Sequence, residues 1–419
     1  MKIKFSNKPS KFAVDSLITT SFSYLAVGLA FYYKLLISSH LSVEEFGLFS
    51  KWLVLLGFCS IFSGMGLNIS FTYFSKKKQK KALPMIKFNV LIYTAMACLI
   101  FFIFSLLKYD SIYIMTLTLA IFSTNCYSMV LSLYQVNEKF IGYNSVNFLK
   151  NGIIILGFFI FSLLSISVKV NDILIQYTVS MTTGLILILP FIWIILRSSL
   201  GTSSNFKAIQ YLSYGLKSIL LNFLAQGLYF FDIFIIGHYL GNKEVGIYSM
   251  GVLISKLIWV ITDSIGNVIF PKLLKNSTQS IQKIILLSQV TFTIVLAAVS
   301  FYYFFGEYLI SAFMKEPYKE SFTSTLILLL GSQGMNIYKL LTRAHAAVNN
   351  WKPLYMTLFF SLIANIALNF ILIPIMGIIG AAVASFVSYW MCGIIIIRLS
   401  GEKIIDFFDV FNVLRGACK

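Results

Sequence analysis

Leu41-Ser42-Val43-Glu44-Glu45-Phe46-Gly47-Leu48-Phe49-Ser50 returns, 199 positions later, as Leu240-Gly241-Asn242-Lys243-Glu244-Val245-Gly246-Ile247-Tyr248-Ser249. Leu41 pairs with Leu240, Glu45 with Glu244, Gly47 with Gly246 and Ser50 with Ser249, with apolar or aromatic residues between them in both copies. Each copy follows one long apolar run and precedes another. A chain patterned this way reads as a membrane protein built from two similar halves, an arrangement common among transporters.

The composition agrees. Of 419 residues, 58% are hydrophobic and only 11% charged, where a soluble domain carries about 25% charged residues. Mean hydropathy is +0.85. Lipid must therefore cover most of the exterior. Apolar runs of about 20 residues match a hydrocarbon core of about 30 Å crossed at 1.5 Å per residue, so the spans are helices. Twelve are expected, near 16–38, 48–71, 85–107, 112–134, 148–166, 173–196, 214–238, 248–270, 284–305, 322–345, 354–374 and 377–397. The fold class is an all-α polytopic membrane protein: two pseudo-symmetric six-helix bundles, 1–200 and 201–419, around a central cavity. The apolar stretch after the basic start is of span length and has no small-residue cleavage site, so it reads as a helix and not as a signal peptide.

An even number of spans puts both termini on one side. With the N-terminus inside, inner segments hold about 23 Lys and Arg and outer loops about five, which places both termini in the cytoplasm. The same bias accounts for most of the net charge of +18. The basic run at 76–81 is then a topology and headgroup signal, not a nucleic-acid site. The longest outer segment, 306–321, is about 16 residues, too short for a catalytic domain of at least about 50. No Walker A, HExxH or nucleophile-elbow pattern occurs. Cys59, Cys98, Cys126, Cys392 and Cys418 lack metal spacing and read as packing residues. No cofactor and no metal site are expected.

Charges inside the spans carry the functional signal. A charge at a helix centre costs about 2.5–3.5 kcal/mol and usually faces a watery cavity or a partner. Lys34, Lys51 and Lys217 stand within reach of a surface and can snorkel. Lys256 stands near the middle of its span, and Asp232 has too short a side chain to snorkel. Lys256 and Asp263 are two turns apart on one face, and Lys339 and Arg343 are one turn apart on another. The expected site is a cationic cavity of Lys34, Lys51, Lys256, Lys339 and Arg343 for an anionic substrate such as a phosphate or pyrophosphate. Asp232 and Asp263 are the ion-coupling or charge-pairing acids, since a buried carboxyl can change its protonation state. A Lys34–Asp232 pair would form if the first helices of the two halves face each other. Tyr229, Asn222 and Gln226 are candidate sugar contacts. His40, His238 and His345 read as interfacial polar residues.

Asn365-Ile366-Ala367-Leu368-Asn369-Phe370-Ile371-Leu372-Ile373-Pro374-Ile375-Met376-Gly377-Ile378-Ile379-Gly380-Ala381-Ala382-Val383-Ala384 resembles the pattern LNxxLIPxxGxxGAAxA of Wzx-type O-antigen flippases. Those belong to the MOP (multidrug/oligosaccharidyl-lipid/polysaccharide) superfamily. The segment Glu44–Phe49 resembles that family's first outer loop, the surroundings of Asp232 its seventh helix, and Lys34 a basic position of its first helix. The resemblance covers the whole chain. It implies a non-enzymatic flippase in the bacterial inner membrane, moving an undecaprenyl-pyrophosphate-linked O-antigen repeat unit to the periplasmic leaflet by alternating access. Membrane lipids around the chain and polymerase and chain-length proteins of the pathway are the expected partners; the buried acids make H+ or Na+ candidate coupling ions, with an uncoupled step as the alternative. Alternatives are a drug/cation antiporter, disfavoured by the cationic excess, and a peptidoglycan-precursor flippase, which often carries extra helices. An O-antigen polymerase or ligase would need a large outer loop. The repeated segments themselves are expected to be outer-gate and hinge elements.

Overall fold

The computed structural model describes residues 11–76, 82–137, 139–164, 168–198, 207–263, 266, 280–347 and 350–400. Lys77–Lys81 of the basic run, the end of the eighth expected span and the tail from 401, with Cys418, lie outside them. Among the described residues the chain is helical and contains no strand. The helices are α1 (Lys11–His40), α2 (Val43–Gly64), α3 (Leu67–Lys76), α4 (Ala82–Leu106), α5 (Ser111–Val136) and α6 (Phe140–Leu164). They continue as α7 (Val170–Ser198), α8 (Ala208–Tyr239), α9 (Asn242–Ser255), α10 (Ser280–Phe313), α11 (Ser321–Ala347) and α12 (Lys352–Leu399). Short 3-10 turns at Lys256–Ile258 and Glu316–Glu320 extend α9 and lead into α11.

Ten helices among the described residues are long and apolar enough to cross a membrane. The last of them, α12, has 48 residues, about 72 Å at 1.5 Å per residue, or more than two hydrocarbon thicknesses. It is two spans joined at a bend. Pro374 removes a backbone donor, and Gly377 takes φ 61° and ψ −139°, backbone that a side chain would strain. Helix α11 is the remaining span. Its Ser324, Thr325, Ser332, Gln333 and Asn336 are buried polar residues that lower its hydropathy. Counting α12 twice and adding α11 gives the twelve expected spans.

The start of α2 shows why the repeated loop is written as it is. Ser42 caps the helix: the Glu45 N–H donates to Ser42 Oγ, and the Ser42 N–H donates to a Glu45 carboxylate oxygen at 3.1 Å. Such a capping box satisfies two orphan donors, and Glu44 and Glu45 suit the positive helix end. The second copy opens α9 with Gly241 at φ 94° in place of the serine.

The chain divides into two compact units. The first comprises Ser21–Gln226 with Gly241–Gly246; the second comprises the described residues of Met1–Thr20, Gly227–Leu240 and Ile247–Lys419. Within the first unit, the two repeat glycines make one reciprocal contact. A Cβ on Gly47 would lie 1.9 Å from the Asn242 carbonyl oxygen, and a Cβ on Gly246 would lie 2.2 Å from the Val43 oxygen. Val43 and Asn242 are equivalent in the repeat, as are Gly47 and Gly246. The segments therefore meet as a two-fold pair would, each glycine against the other copy's first helical residue.

Neither oxygen belongs to a side chain that can swing away. Gly47→Ala and Gly246→Ala are each expected to cost about 1–3 kcal/mol through overpacking. Nothing lies within 4 Å of a Cβ at Gly152, so Gly152→Ala should be neutral or stabilising by up to about 1 kcal/mol. Thermal unfolding of the three purified variants checks the contrast.

Candidate functional site

Four helices of the second unit supply the site: α8 from Gly227 on, α9 with its 3-10 extension, α11 and α12. Asp232 on α8 is 1% exposed. One carboxylate oxygen, Oδ2, accepts from the Tyr248 hydroxyl at 2.5 Å and from the Ser385 hydroxyl at 3.2 Å. The other, Oδ1, accepts from the Ile233 N–H at 2.8 Å. Three donors converge on one acid, which is how a carboxylate survives away from water. Lys256 adds a positive field at this carboxylate.

A polar path continues from Ser385 into the other arm of α12. Thr357, Ser361, Asn365 and Asn369 recur every fourth residue and are all fully buried, so they share one helix face. Asn365 Nδ2 donates to Ser385 Oγ at 3.5 Å, and Asn369 Nδ2 donates to Asn365 Oδ1 at 3.0 Å. Asn369 Oδ1 and Thr357 Oγ1 have no hydrogen-bond partner among the described residues. The set around Asp232 is thus rich in oxygen acceptors, the donor type hard cations prefer.

The cations of this unit lie against aromatic rings. Lys256 sits in the 3-10 turn Lys256–Ile258. Its ammonium lies 3.4 Å from the Phe230 ring centroid and 5.5 Å from those of Tyr229 and Trp259. It also donates to the Tyr229 carbonyl oxygen at 3.5 Å. Lys339 on α11 lies 4.6 Å from the Trp259 ring and binds Asp263 Oδ2 at 2.7 Å. Tyr389 closes the cluster, 5.6 Å from Trp259 and 6.5 Å from Tyr229. A desolvated cation on a ring face gains about 2 kcal/mol, close to the cost of holding its charge in a span. Aromatic faces edged by cations and hydroxyls can hold a sugar and an anion together. Arg343, one turn beyond Lys339, stands beside Gly266, where a Cβ would lie 3.1 Å from its Nε.

The Lys339–Asp263 pair has a testable strength. Breaking a fully buried pair costs about 3–5 kcal/mol, but the Asp263 side chain is 45% exposed, which brings the expectation down to about 1 kcal/mol. Lys339→Met or Asp263→Asn alone should lower the unfolding midpoint by a few degrees, and the double variant should recover most of that loss.

Of the other residues singled out from the sequence, Lys34 and Lys51 belong to the first unit. Lys34 is half-buried on α1 beside Tyr33, whose hydroxyl donates to Gln176 Oε1 at 2.8 Å. Lys51 donates to Asn242 Oδ1 at 2.6 Å, next to the glycine crossing. Lys256, Lys339, Asp232, Asp263, Arg343 and Tyr229 come together in the second unit; Asn222 and Gln226 belong to the first. Sequence reasoning passed over Tyr248 and the Thr357–Asn369 stripe. Both left a trace: Tyr248 is a hydroxyl where the first copy has Phe49, and four polar residues at intervals of four interrupt an apolar span.

The sequence profile described as "Polysaccharide biosynthesis protein" matches residues 13–277. Membrane protein MJ1375 of Methanocaldococcus jannaschii is 27% identical over 157 residues, spanning 38% of this chain and 37% of that protein. Among solved structures, a mutant of the Vibrio cholerae MATE transporter VcmN aligns with a TM-score of 0.72 at 12% identity, over 94% of this chain and 98% of that one. An outward-facing multidrug resistance MATE family transporter of the MOP superfamily gives 0.70 at 14% identity, over 94% and 97%. The lipid II flippase MurJ, inward closed, gives 0.64 at 14% identity, over 93% and 87%. These likenesses establish a fold shared with those MATE and MurJ structures, and the profile covers more than half of the sequence: the chain belongs to the polysaccharide biosynthesis protein family.

Proposed function

We propose that the chain is a flippase that moves an undecaprenyl-pyrophosphate-linked polysaccharide repeat unit, of the O-antigen type, from the cytoplasmic to the periplasmic leaflet. The observation that carries this reading is the second unit's cluster of half-buried cations and aromatic rings in a polysaccharide biosynthesis family member. Lys256 and Lys339 offer charge to a pyrophosphate. Tyr229, Trp259 and Tyr389 offer ring faces of the kind sugars stack on. MATE and MurJ structures both share the fold. A carrier of cationic drugs, however, would not be expected to line its path with lysine and arginine.

Asp232 is the coupling residue of this mechanism. Binding of H+ or Na+ at its carboxylate cancels the charge that Tyr248, Ser385 and Lys256 now stabilise. A change of charge at a point shared by α8, α9 and α12 biases their packing, as alternating access needs. The site lies in the inner membrane with both termini in the cytoplasm, and the pathway's polymerase receives the cargo outside.

Deleting the gene in its host should remove surface polysaccharide. Lipid-linked repeat units should then accumulate where a membrane-impermeant oxidant cannot reach them, and a plasmid copy should reverse both effects. Normal surface polysaccharide in the deletion strain, without accumulation, would refute the proposal.

A further inference from the structure

The two units hold the charges inside their helices differently. In the second, Lys339 binds Asp263, and Lys256 acts on Asp232, which also takes two hydroxyls. In the first, the carboxylates among the described residues are Glu44, Glu45, Asp110, Asp172 and Glu244. All stand in the first turn or at the cap of a helix. None lies deep in a span, yet α6 carries Lys150 near its middle.

Lys150 was not among the residues the sequence pointed to, because its span was expected to begin only at 148. In the structure α6 begins at Phe140, which carries Lys150 well into the helix. Its ammonium stands 5.2 Å from the centroid of the Tyr127 ring on α5. Tyr127 is 2% exposed, and its hydroxyl has no hydrogen-bond partner among the described residues. Gly184 on α7 faces that hydroxyl, and a Cβ there would lie 2.4 Å from it. Among the described residues, three helices thus frame an ammonium without a carboxylate and a hydroxyl without an acceptor, with the third helix bare where a side chain would crowd that hydroxyl. A cation–π contact offsets part of the cost of a mid-span lysine. An anion accepting from both groups would offset the remainder and satisfy the hydroxyl.

We propose that Lys150 and the Tyr127 hydroxyl form a second anion site, in the first unit, that binds the phosphate of a lipid. The inference deepens the proposed function and rests on it for the identity of that lipid: a prenyl pyrophosphate and an anionic phospholipid share the chemistry. One oxygen of the phosphate accepts from Lys150 Nζ and another from Tyr127 Oη. Gly184 leaves the hydroxyl uncrowded, where any side chain would meet it.

The test uses the full-length protein in phosphatidylcholine nanodiscs, with farnesyl pyrophosphate as the titrated probe. Inorganic pyrophosphate and phosphatidylglycerol serve as competitors. Lys150→Met should weaken farnesyl pyrophosphate binding at least tenfold, Tyr127→Phe about three- to tenfold, and Lys150→Arg should retain binding within about threefold. Displacement by inorganic pyrophosphate assigns the site to the carrier's headgroup; displacement only by phosphatidylglycerol assigns it to membrane phospholipid. Tyr127→Phe keeps the ring and serves as the probe if Lys150→Met does not fold. Unchanged binding in Lys150→Met, or in Tyr127→Phe if that is the variant that folds, overturns the proposal, as does the absence of probe binding by the wild type. Lys150-dependent binding in a protein that moves no lipid-linked oligosaccharide would refute the flippase reading and leave this site standing. Normal transport without Lys150-dependent binding would do the reverse.

Discussion

Asp232→Asn should reduce transport of the lipid-linked repeat unit at least tenfold while leaving the protein in the membrane at normal abundance. The substitution is nearly isosteric. An Asn carbonyl oxygen can still accept from the Tyr248 and Ser385 hydroxyls that now bind Oδ2. What disappears is the negative charge and its capacity to bind a cation. Lys256 then loses its counter-field in a span, where an unneutralised cation costs about 2.5–3.5 kcal/mol. Tyr248→Phe removes one donor and keeps the charge, so it should reduce transport less. Surface polysaccharide and membrane-fraction protein, measured in the same cells, separate loss of function from loss of fold.

Lys256→Met should have the second-largest effect, also about tenfold or more on transport. Methionine keeps an unbranched apolar stem against Phe230, Tyr229 and Trp259. It removes the charge offered to a pyrophosphate and the positive field at Asp232. Thermal stability should fall only slightly, because the intramembrane charge removed offsets the lost field at Asp232, whose carboxylate keeps its three hydrogen-bond donors. Loss of transport with stability retained marks a functional cation; loss of both would mark a structural one. Lys256→Arg keeps charge in a larger planar group and should recover part of the activity.

The fold was legible because membrane helices obey few rules. Length, hydropathy and charge bias named the spans, including the α11 span that is too polar to stand out by hydropathy alone. The repeat was legible as well, since Gly47 and Gly246 are needed wherever two backbones touch that closely. Glu45, expected as part of an outer gate, also has a local role that its sequence reading did not name: it caps α2 together with Ser42. Members of the candidate cluster stood out where a residue is costly wherever it points, as with Asp232 and Lys256. Others did not, where the meaning depends on the neighbour. Tyr248 is an ordinary aromatic until Asp232 stands beside it. Asn365 and Asn369 resembled a family's packing motif until Ser385 linked them to the acid. Lys150 was missed because an expected start at 148 leaves it at the very end of its span, whereas the helix begins eight residues earlier and carries it well inside.

The central claim is that this chain moves a lipid-linked oligosaccharide by using Asp232. Its most direct measurement is translocation in proteoliposomes. Purified protein is reconstituted with a fluorescent polyprenyl-pyrophosphate-linked oligosaccharide, and the fraction reachable by a membrane-impermeant quencher is followed after an H+ or Na+ gradient is imposed. The account predicts that wild-type protein exchanges the label between leaflets faster with one of these gradients than without, and that Asp232→Asn vesicles stay near the protein-free rate. Equal rates in wild-type and protein-free vesicles under both gradients, or full activity in Asp232→Asn, would contradict it.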